Sequence, residues 1–275
     1  MNIVFKDSSM RTIHSVQEWQ SIRKEITNKG PIGLVMTMGN LHEGHASLLK
    51  KARAENLISI LSIFINPAQF NDKKDLENYP KTIEQDLVLA AEHGVDYVFI
   101  PSSEEMYADN YRYKITEHEV SHILEGKHRP GHFDGVLTIV LKVFSLIKPQ
   151  RAYFGEKDYQ QLQLIKGMVD AFFLEIDIIP CPTIRLDSGL PFSSRNNLLE
   201  ISELKKLEAF SQCLFSGKSA NAIEEKLLSL GFKVDYVAEW QNRLFAAIKV
   251  GNVRLIDNIA ISSRAPDNDN KKPLN

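Results

Sequence analysis

Short apolar runs of strand length alternate with helix-length segments over the first two-thirds of the chain, and this alternation restricts the fold more than any other feature. Strands buried on both faces read as continuous apolar runs, and helical crossovers join such strands into parallel sheets. Ser15-Val16-Gln17-Glu18 is a capping-box pattern that opens a helix, and Gly30 and Pro31 close it. Residues 32–36 read as a short buried strand, 39–44 as a loop and 45–55 as a helix; the Ile-rich run 57–65 is the next buried strand. A second capping box, Thr82-Ile83-Glu84-Gln85, starts a helix that ends near Gly94, and 97–100 is a third strand stopped by Pro101. A mostly apolar helix over 136–147 ends at Pro149, followed by a strand at 152–154, a helix at 162–172 and a strand at 176–179. The order predicts a parallel sheet covered by helices on both faces.

After Pro182 the character changes. Residues 202–230 read as two helices, and 232–240, 244–250 and 253–261 as strands joined by connections too short for crossovers, hence antiparallel. A boundary near 182 divides the chain into domains at 1–182 and 183–264, and the polar, Pro-containing segment 265–275 is expected to be a disordered tail. The 275 residues agree with this division at roughly 150 per domain. A composition of 43% hydrophobic and 25% charged residues excludes a disordered or fibrous chain. The 33 Lys and Arg against 35 Asp and Glu argue against bulk nucleic-acid binding, although a local basic pocket can still hold phosphates. Two cysteines, Cys181 and Cys213, make no disulfide framework and suit reduced thiols in the cytoplasm. The N-terminus carries a short apolar patch at 3–5 and then turns polar, unlike a signal peptide. The most apolar stretch, 57–65, falls short of the about 20 residues of a membrane span, so no membrane association is expected.

Five segments carry chemistry. Thr37-Met38-Gly39-Asn40-Leu41-His42-Glu43-Gly44-His45 lies between the first strand and its helix, where an open α/β sheet presents ligands and a helix N-terminus favours an anion. Gly39 and Gly44 permit close backbone approach to a nucleotide, and His42 and His45 can donate to phosphate oxygens. The spacing differs from the His-Glu-x-x-His of zinc proteases, whose histidines are four apart; ordinary loop histidines are the plainer alternative. In Ser62–Phe70 a strand end is followed by Asn66-Pro67-Ala68-Gln69, with a carboxamide at Gln69 able to donate to a carboxylate and accept from a hydroxyl, or a turn glutamine in solvent. In Arg129-Pro130-Gly131-His132-Phe133-Asp134-Gly135-Val136, Arg129 can clamp an anion, while His128 and His132 read as structural or loop residues. In Tyr153-Phe154-Gly155-Glu156-Lys157-Asp158-Tyr159-Gln160-Gln161, Lys157 can neutralise a phosphate and Asp158 can meet the nucleotide or a metal, with a solvated charged turn as the alternative. Ser193-Ser194-Arg195-Asn196, after Asp187-Ser188-Gly189-Leu190, offers two hydroxyls and a guanidinium to outer phosphates, or is a surface turn.

His-x-Gly-His resembles the signature of a nucleotidyltransferase superfamily that includes class I aminoacyl-tRNA synthetases. In order and spacing, the five segments together resemble the pantothenate synthetase (pantoate–β-alanine ligase) family, densely from about Gly33 to Leu199 and more weakly to about residue 262. The resemblance implies an α/β fold: a Rossmann-like parallel sheet with helices on both faces, plus a smaller α+β C-terminal lid domain. It implies that Met38, Gly39, Asn40, Leu41, His42, Glu43, Gly44 and His45 line an ATP site, with His45 the acid assisting the phosphates. Gly155, Glu156, Lys157 and Asp158 would bind ATP with Lys157 at the phosphates, Ile184 would touch adenine through its backbone, and Phe192, Ser193, Ser194 and Arg195 would close over the phosphates. Gln69, Gln161 and Arg129 would serve the pantoate and β-alanine pocket. The catalytic set is then His45, His42, Lys157 and Arg195. Mg²⁺ would arrive with ATP, near Asp158, without a dedicated metal site or organic cofactor, and a homodimer is implied.

Three places depart from the family pattern: Met36 replaces Pro, Asn40 replaces Ala, and Pro191-Phe192 replaces Ala-Met. None removes a polar group the chemistry needs, and Pro191 stiffens the phosphate loop. The implied reaction is a two-step ligation: pantoate carboxylate attacks the α-phosphate of ATP, and the amine of β-alanine then displaces AMP. Rival readings are a related enzyme transferring a nucleotide to a phosphorylated carrier, a non-catalytic nucleotide-binding regulator, and an RNA-binding synthetase fragment. The first would lack Gln69 and the Gly-Glu-Lys-Asp-Tyr-Gln-Gln run, the second would have lost charged residues present here, and the third conflicts with the near-neutral charge.

Overall fold

A computed structural model describes residues 10–196, 199, 201–251 and 253–263. The apolar patch at 3–5 and the tail at 265–275 lie outside the described residues. The elements run β1 (Arg11–Ile13), α1 (Val16–Ile26), β2 (Ile32–Thr37), α2 (Glu43–Glu55), β3 (Ile58–Ile63), α3 (Lys73–Glu77), α4 (Ile83–Glu92), β4 (Tyr97–Phe99), α5 (Ser103–Met106), α6 (Leu124–His128), α7 (His132–Ile147), β5 (Arg151–Gly155), α8 (Tyr159–Ala171), β6 (Asp177–Cys181), α9 (Ile201–Phe215), α10 (Ala220–Ser229), β7 (Lys233–Trp240), β8 (Arg243–Val250) and β9 (Val253–Ala260). The chain divides into two units: one runs up to Glu156 and resumes over Gln160–Pro182; the other joins Lys157–Tyr159 to the residues from Thr183 on.

In the first unit six parallel strands are ordered β1-β4-β3-β2-β5-β6. The strand order reverses between β2 and β5, so the crevice at their carboxyl ends is the topological switch point where open α/β sheets bind ligands. Successive side chains alternate between the two sheet faces. Val35, Leu61, Ile63, Val98 and Tyr153 share a core with Leu48, Leu49 and Ala52 of α2 and Ala90 of α4. On the other face Phe99 meets Trp19 of α1, and Phe154 meets Phe144 of α7. The α/β class and the parallel sheet with helices on both faces are as expected from sequence.

The departures have local causes. β1 was not foreseen; three residues carry no periodicity, and the strand exists because the edge of β4 is open to pair with it. The first capping box forms, with Ser15 Oγ accepting from Glu18 N at 3.1 Å. The second does not: Thr82 makes no side-chain cap, and its hydroxyl donates instead to Asp86 Oδ1 at 3.2 Å. α2, α7 and α8 begin two to four residues earlier than expected, at Glu43, His132 and Tyr159, because the polar motif residues form their first turns.

The second unit packs α9 and α10 on a three-stranded antiparallel sheet, β7-β8-β9, around Leu207, Phe210, Leu214, Ile223, Leu227, Leu244, Ala246, Ile248 and Ile259. This is the smaller α+β element expected from sequence. The central strand β8 is buried on both sides: Phe245, facing away from that core, meets Tyr159 and Trp240. Cys181 and Cys213 are buried free thiols, and burial raises Cys181 to about 11.

Gly135 lets α7 approach the loop after β3. A Cβ there would lie 2.4 Å from the Ala68 carbonyl oxygen, whereas at Gly167 of α8 nothing lies within 4 Å. Gly135→Ala is expected to cost about 1–3 kcal/mol, and Gly167→Ala to be neutral or to stabilise by up to about 1 kcal/mol. Urea unfolding of both variants checks this, and equal midpoints would refute the close-approach argument.

Candidate active site

The turn after β2 is held from beneath by a carboxylate. Asp86 of α4 is buried, and it accepts from Asn40 N at 3.0 Å and Leu41 N at 2.8 Å as well as from Thr82. Gly39 and Asn40 both have positive φ, +84° and +52°. Asn enters this left-handed region more readily than Ala, which accounts physically for Asn40. A Cβ on Gly39 would lie 3.0 Å from Asp86 Oδ2, so glycine serves both the backbone angle and the carboxylate beneath it.

The two histidines cap the start of α2. His42 Nδ1 accepts from Gly44 N at 3.1 Å, and His42 N donates to His45 Nδ1 at 3.3 Å, a reciprocal cap. The rings stack with centroids 4.1 Å apart. An Nδ1 that accepts carries no proton, so each neutral ring bears its N–H at Nε2. The Gly44 N–H is used within the turn, while Glu43 adds an exposed carboxylate to the first turn of α2.

After β3, Asn66 organises Gln69. Asn66 Nδ2 donates to Gln69 Oε1 at 3.0 Å and to Gly135 O at 3.1 Å, and the Tyr107 hydroxyl donates to Asn66 Oδ1 at 2.5 Å. Gln69 Nε2 reaches Met38 Sδ at 3.0 Å. The Gln69 carbonyl accepts from His132 Nδ1 at 2.8 Å and from Arg129 Nη2 at 3.2 Å, and Arg129 Nη1 donates to His132 Nε2 at 3.1 Å. Because guanidinium only donates, His132 Nε2 must accept and Nδ1 must carry the proton. Met38, Gln69 and Arg129 are thereby drawn into one network. Gln161 is not part of it: it is half-buried on α8, and its side chain makes no hydrogen bond among the described residues. Its neighbour Gln160 is buried, tied to Glu125 N, Val120 O and Ile123 O. At Gly155 an added Cβ would meet nothing within 4 Å, so the backbone at the end of β5 is open to close approach.

In the second unit, Lys157 and Asp158 follow Glu156 in one 3-10 turn, with Lys157 Nζ 3.7 Å from Asp158 Oδ1. Ile184 and Phe192 are paired: Phe192 N donates to Ile184 O at 3.1 Å, Leu186 N to Leu190 O at 2.8 Å, and Gly189 (φ +84°) makes the turn between them. Pro191 fits because this short hairpin takes its hydrogen bonds from Phe192 and Leu186. Beyond it, Ser193 Oγ accepts from Arg195 N at 3.3 Å, and Asn196 Nδ2 donates to Pro191 O at 3.1 Å; Ser194 lies half-buried between them. The hairpin is clamped by Arg185, whose Nη1 reaches Gly189 O at 2.8 Å and whose guanidinium meets Asp257 at 2.7 and 2.9 Å. Burial pushes the Asp257 carboxyl upward, and Arg185 opposes this. Asp86, Arg185, Asp257 and Asn258 are not singled out by the sequence, and Asn66 is read there only as part of its motif. The one available signal was Asp-Asn interrupting an apolar strand. Among the described residues no cluster of three or more His, Cys, Asp or Glu side chains is placed to hold a metal ion.

Asp86→Ala removes the acceptor of two backbone N–H groups and is expected to lower unfolding free energy by about 3 kcal/mol, with Asp86→Asn costing less. Denaturant titration tests the ranking; an Asp86→Ala midpoint equal to wild type would show that the turn holds itself.

The family model for pantoate-beta-alanine ligase matches residues 8–260. The pantothenate synthetase of Coxiella burnetii is 51% identical over 249 residues, 90% of this chain and 96% of its own. That of Bdellovibrio bacteriovorus is 50% identical over 251 residues, 91% of this chain and 99% of its own. The crystal structure of pantoate-beta-alanine ligase from Francisella tularensis, complexed with beta-gamma ATP and beta-alanine, is similar with a TM-score of 0.89 and 42% identity, covering 92% of this chain and 98% of that one. Pantothenate synthetase from Thermus thermophilus gives a TM-score of 0.86 at 36% identity, covering 92% and 99%. With a family model spanning most of its length and relatives half identical to it, the chain belongs to the pantoate-beta-alanine ligase family.

Proposed function

We propose that this ligase joins pantoate to β-alanine in two steps at the carboxyl ends of β2, β3 and β5. In the first, a pantoate carboxylate oxygen attacks the α-phosphorus of ATP and pyrophosphate leaves, giving pantoyl adenylate. In the second, the β-alanine amine attacks the acyl carbon and AMP leaves, forming the amide. A free carboxylate is a poor acyl donor because its leaving group would be oxide; adenylation supplies a good one.

The observation that carries this reading is the reciprocal histidine cap at the switch point. Spending both Nδ1 atoms on backbone N–H groups makes His42 and His45 Nε2–H donors at a helix N-terminus, the chemistry that phosphate oxygens require. Charge on the leaving pyrophosphate is offset by these donors with Lys157 and Arg195. Mg²⁺ enters as the ion of the ATP substrate, with Asp158 the carboxylate near it; one or two carboxylates plus phosphates is its usual protein environment. Gln69 supports the pantoate assignment. One of its amide N–H groups rests on Met38 Sδ, a weak acceptor that a substrate hydroxyl or carboxylate oxygen displaces favourably. Gln161 and Arg129 complete that pocket in this reading. The adenine lies along the Ile184 backbone, and the Phe192–Arg195 loop covers the phosphates.

Pyrophosphate release from Mg·ATP is expected to require pantoate, and AMP and pantothenate to accumulate only when β-alanine is added. Lys157→Ala and His45→Ala are each expected to slow the first step by about 10²–10³. Pantoate-independent release, or wild-type release from either variant, would remove the corresponding assignment. We further propose a homodimer formed through the N-terminal unit and working in the cytoplasm; no helix among the described residues is long and apolar enough to cross a membrane. Sedimentation equilibrium at micromolar protein should give twice the 31.2 kDa chain mass, and a single-chain mass would refute the dimer.

A further inference from the structure

Two consecutive residues of β9 point to opposite faces of the second unit's sheet and serve different segments. Asp257, paired in register with Ala246, holds Arg185 and through it the hairpin leading to Ser193. Asn258, paired with Phe245 on the other face, donates from Nδ2 to the main-chain carbonyl of Lys157 at 2.8 Å.

Lys157 needs such an anchor. Its ammonium sits on four rotatable bonds, and its 3.7 Å pair with the exposed Asp158 is too long and too wet to fix it. Its main chain lies in a single 3-10 turn, a weak local structure. Asn258, in contrast, is buried and immobilised at every polar group. Its Oδ1 accepts from Arg243 Nε at 2.5 Å, its N donates to Asp257 Oδ1 at 2.7 Å, and its carbonyl accepts from Arg185 Nη2 at 3.1 Å. Arg243 is itself stacked on the Tyr159 ring, 4.4 Å from its centroid and two residues beyond Lys157. The lysine backbone is thus gripped on a rigid strand, leaving only the side chain to find its target.

We propose that Asn258 is a positioning residue for Lys157: by holding the Lys157 carbonyl it sets where the ammonium is delivered to the nucleotide phosphates. This rests on the placement of Lys157 at those phosphates proposed above. Asn258→Asp keeps the shape and the Arg243 contact but replaces the donor with an acceptor facing a carbonyl.

Titration calorimetry with Mg·ATP and with adenosine, which has no phosphates, separates a positioning role from a structural one. Asn258→Asp is expected to weaken ATP about 10-fold and leave adenosine within about twofold. In a Lys157→Ala background the same substitution is expected to change ATP affinity by less than about twofold, because the effect runs through the missing ammonium. Equal weakening of ATP and adenosine, or an undiminished effect without the lysine, overturns the proposal. Weak ATP binding by Lys157→Ala alongside wild-type binding by Asn258→Asp overturns the role of Asn258 alone. Wild-type ATP binding by Lys157→Ala overturns the phosphate assignment and this inference with it. Adenosine binding reports that each variant is folded; if Asn258→Asp does not fold, Asn258→Ala is read in the same way.

Discussion

A parallel strand can be followed by another only through a crossover that returns the chain to the same end of the sheet. All six strands of the first unit obey this constraint, and the arrangement of the site descends from it. The carboxyl ends of β2, β3 and β5 open on one edge, where the loops that leave them carry the His-x-Gly-His turn, the Asn66–Gln69 segment and Gly155. The sheet faces are mostly apolar, so the polar motif residues gather at the strand ends, on the side where the strand order reverses between β2 and β5.

Loops that carry function lack the ladder hydrogen bonds that fix strands, and here side chains supply them. Asp86 takes two N–H groups of the β2 turn, Asn66 orients the Gln69 carboxamide, and His132 and Arg129 hold the Gln69 carbonyl. Such hydrogen bonds hold a backbone that would otherwise face the cost of unpaired polar groups. The histidines of the motif do the same work, since their Nδ1 atoms terminate the helix while their tautomers are set as donors. One arrangement thus caps the helix and fixes both ring tautomers.

The second unit repeats the logic on a smaller sheet. Arg185 and the fully buried Asp257 form a bidentate pair, Arg185 itself being partly exposed, and burying a carboxylate is repaid only when its geometry and hydrogen bonds are satisfied. Arg185 meets that condition by also binding Gly189 O and Asn258 O and by lying over the Phe215 ring. Ion pair, hairpin and β9 are therefore one structural element.

The alternation of buried strands and helices was legible in the sequence, as were the antiparallel C-terminal strands and the five motifs, because hydrophobic periodicity, turn residues and motif spacing are local quantities. The resemblance carried by those motifs named the family. What stayed hidden was long-range. Thr82 looks like an N-cap until Asp86 takes its hydroxyl, and Asp86 looks like an ordinary first-turn acid until the β2 turn, 46 residues away, is laid over it. Nothing near Asn258 in sequence announces Lys157, 101 positions earlier. By itself, then, the sequence determined the longer elements, their class and the chemical groups available. Tertiary structure alone decided which groups hold others in place, because a hydrogen bond depends on distance and direction in space, and those exist only once the strands are in register.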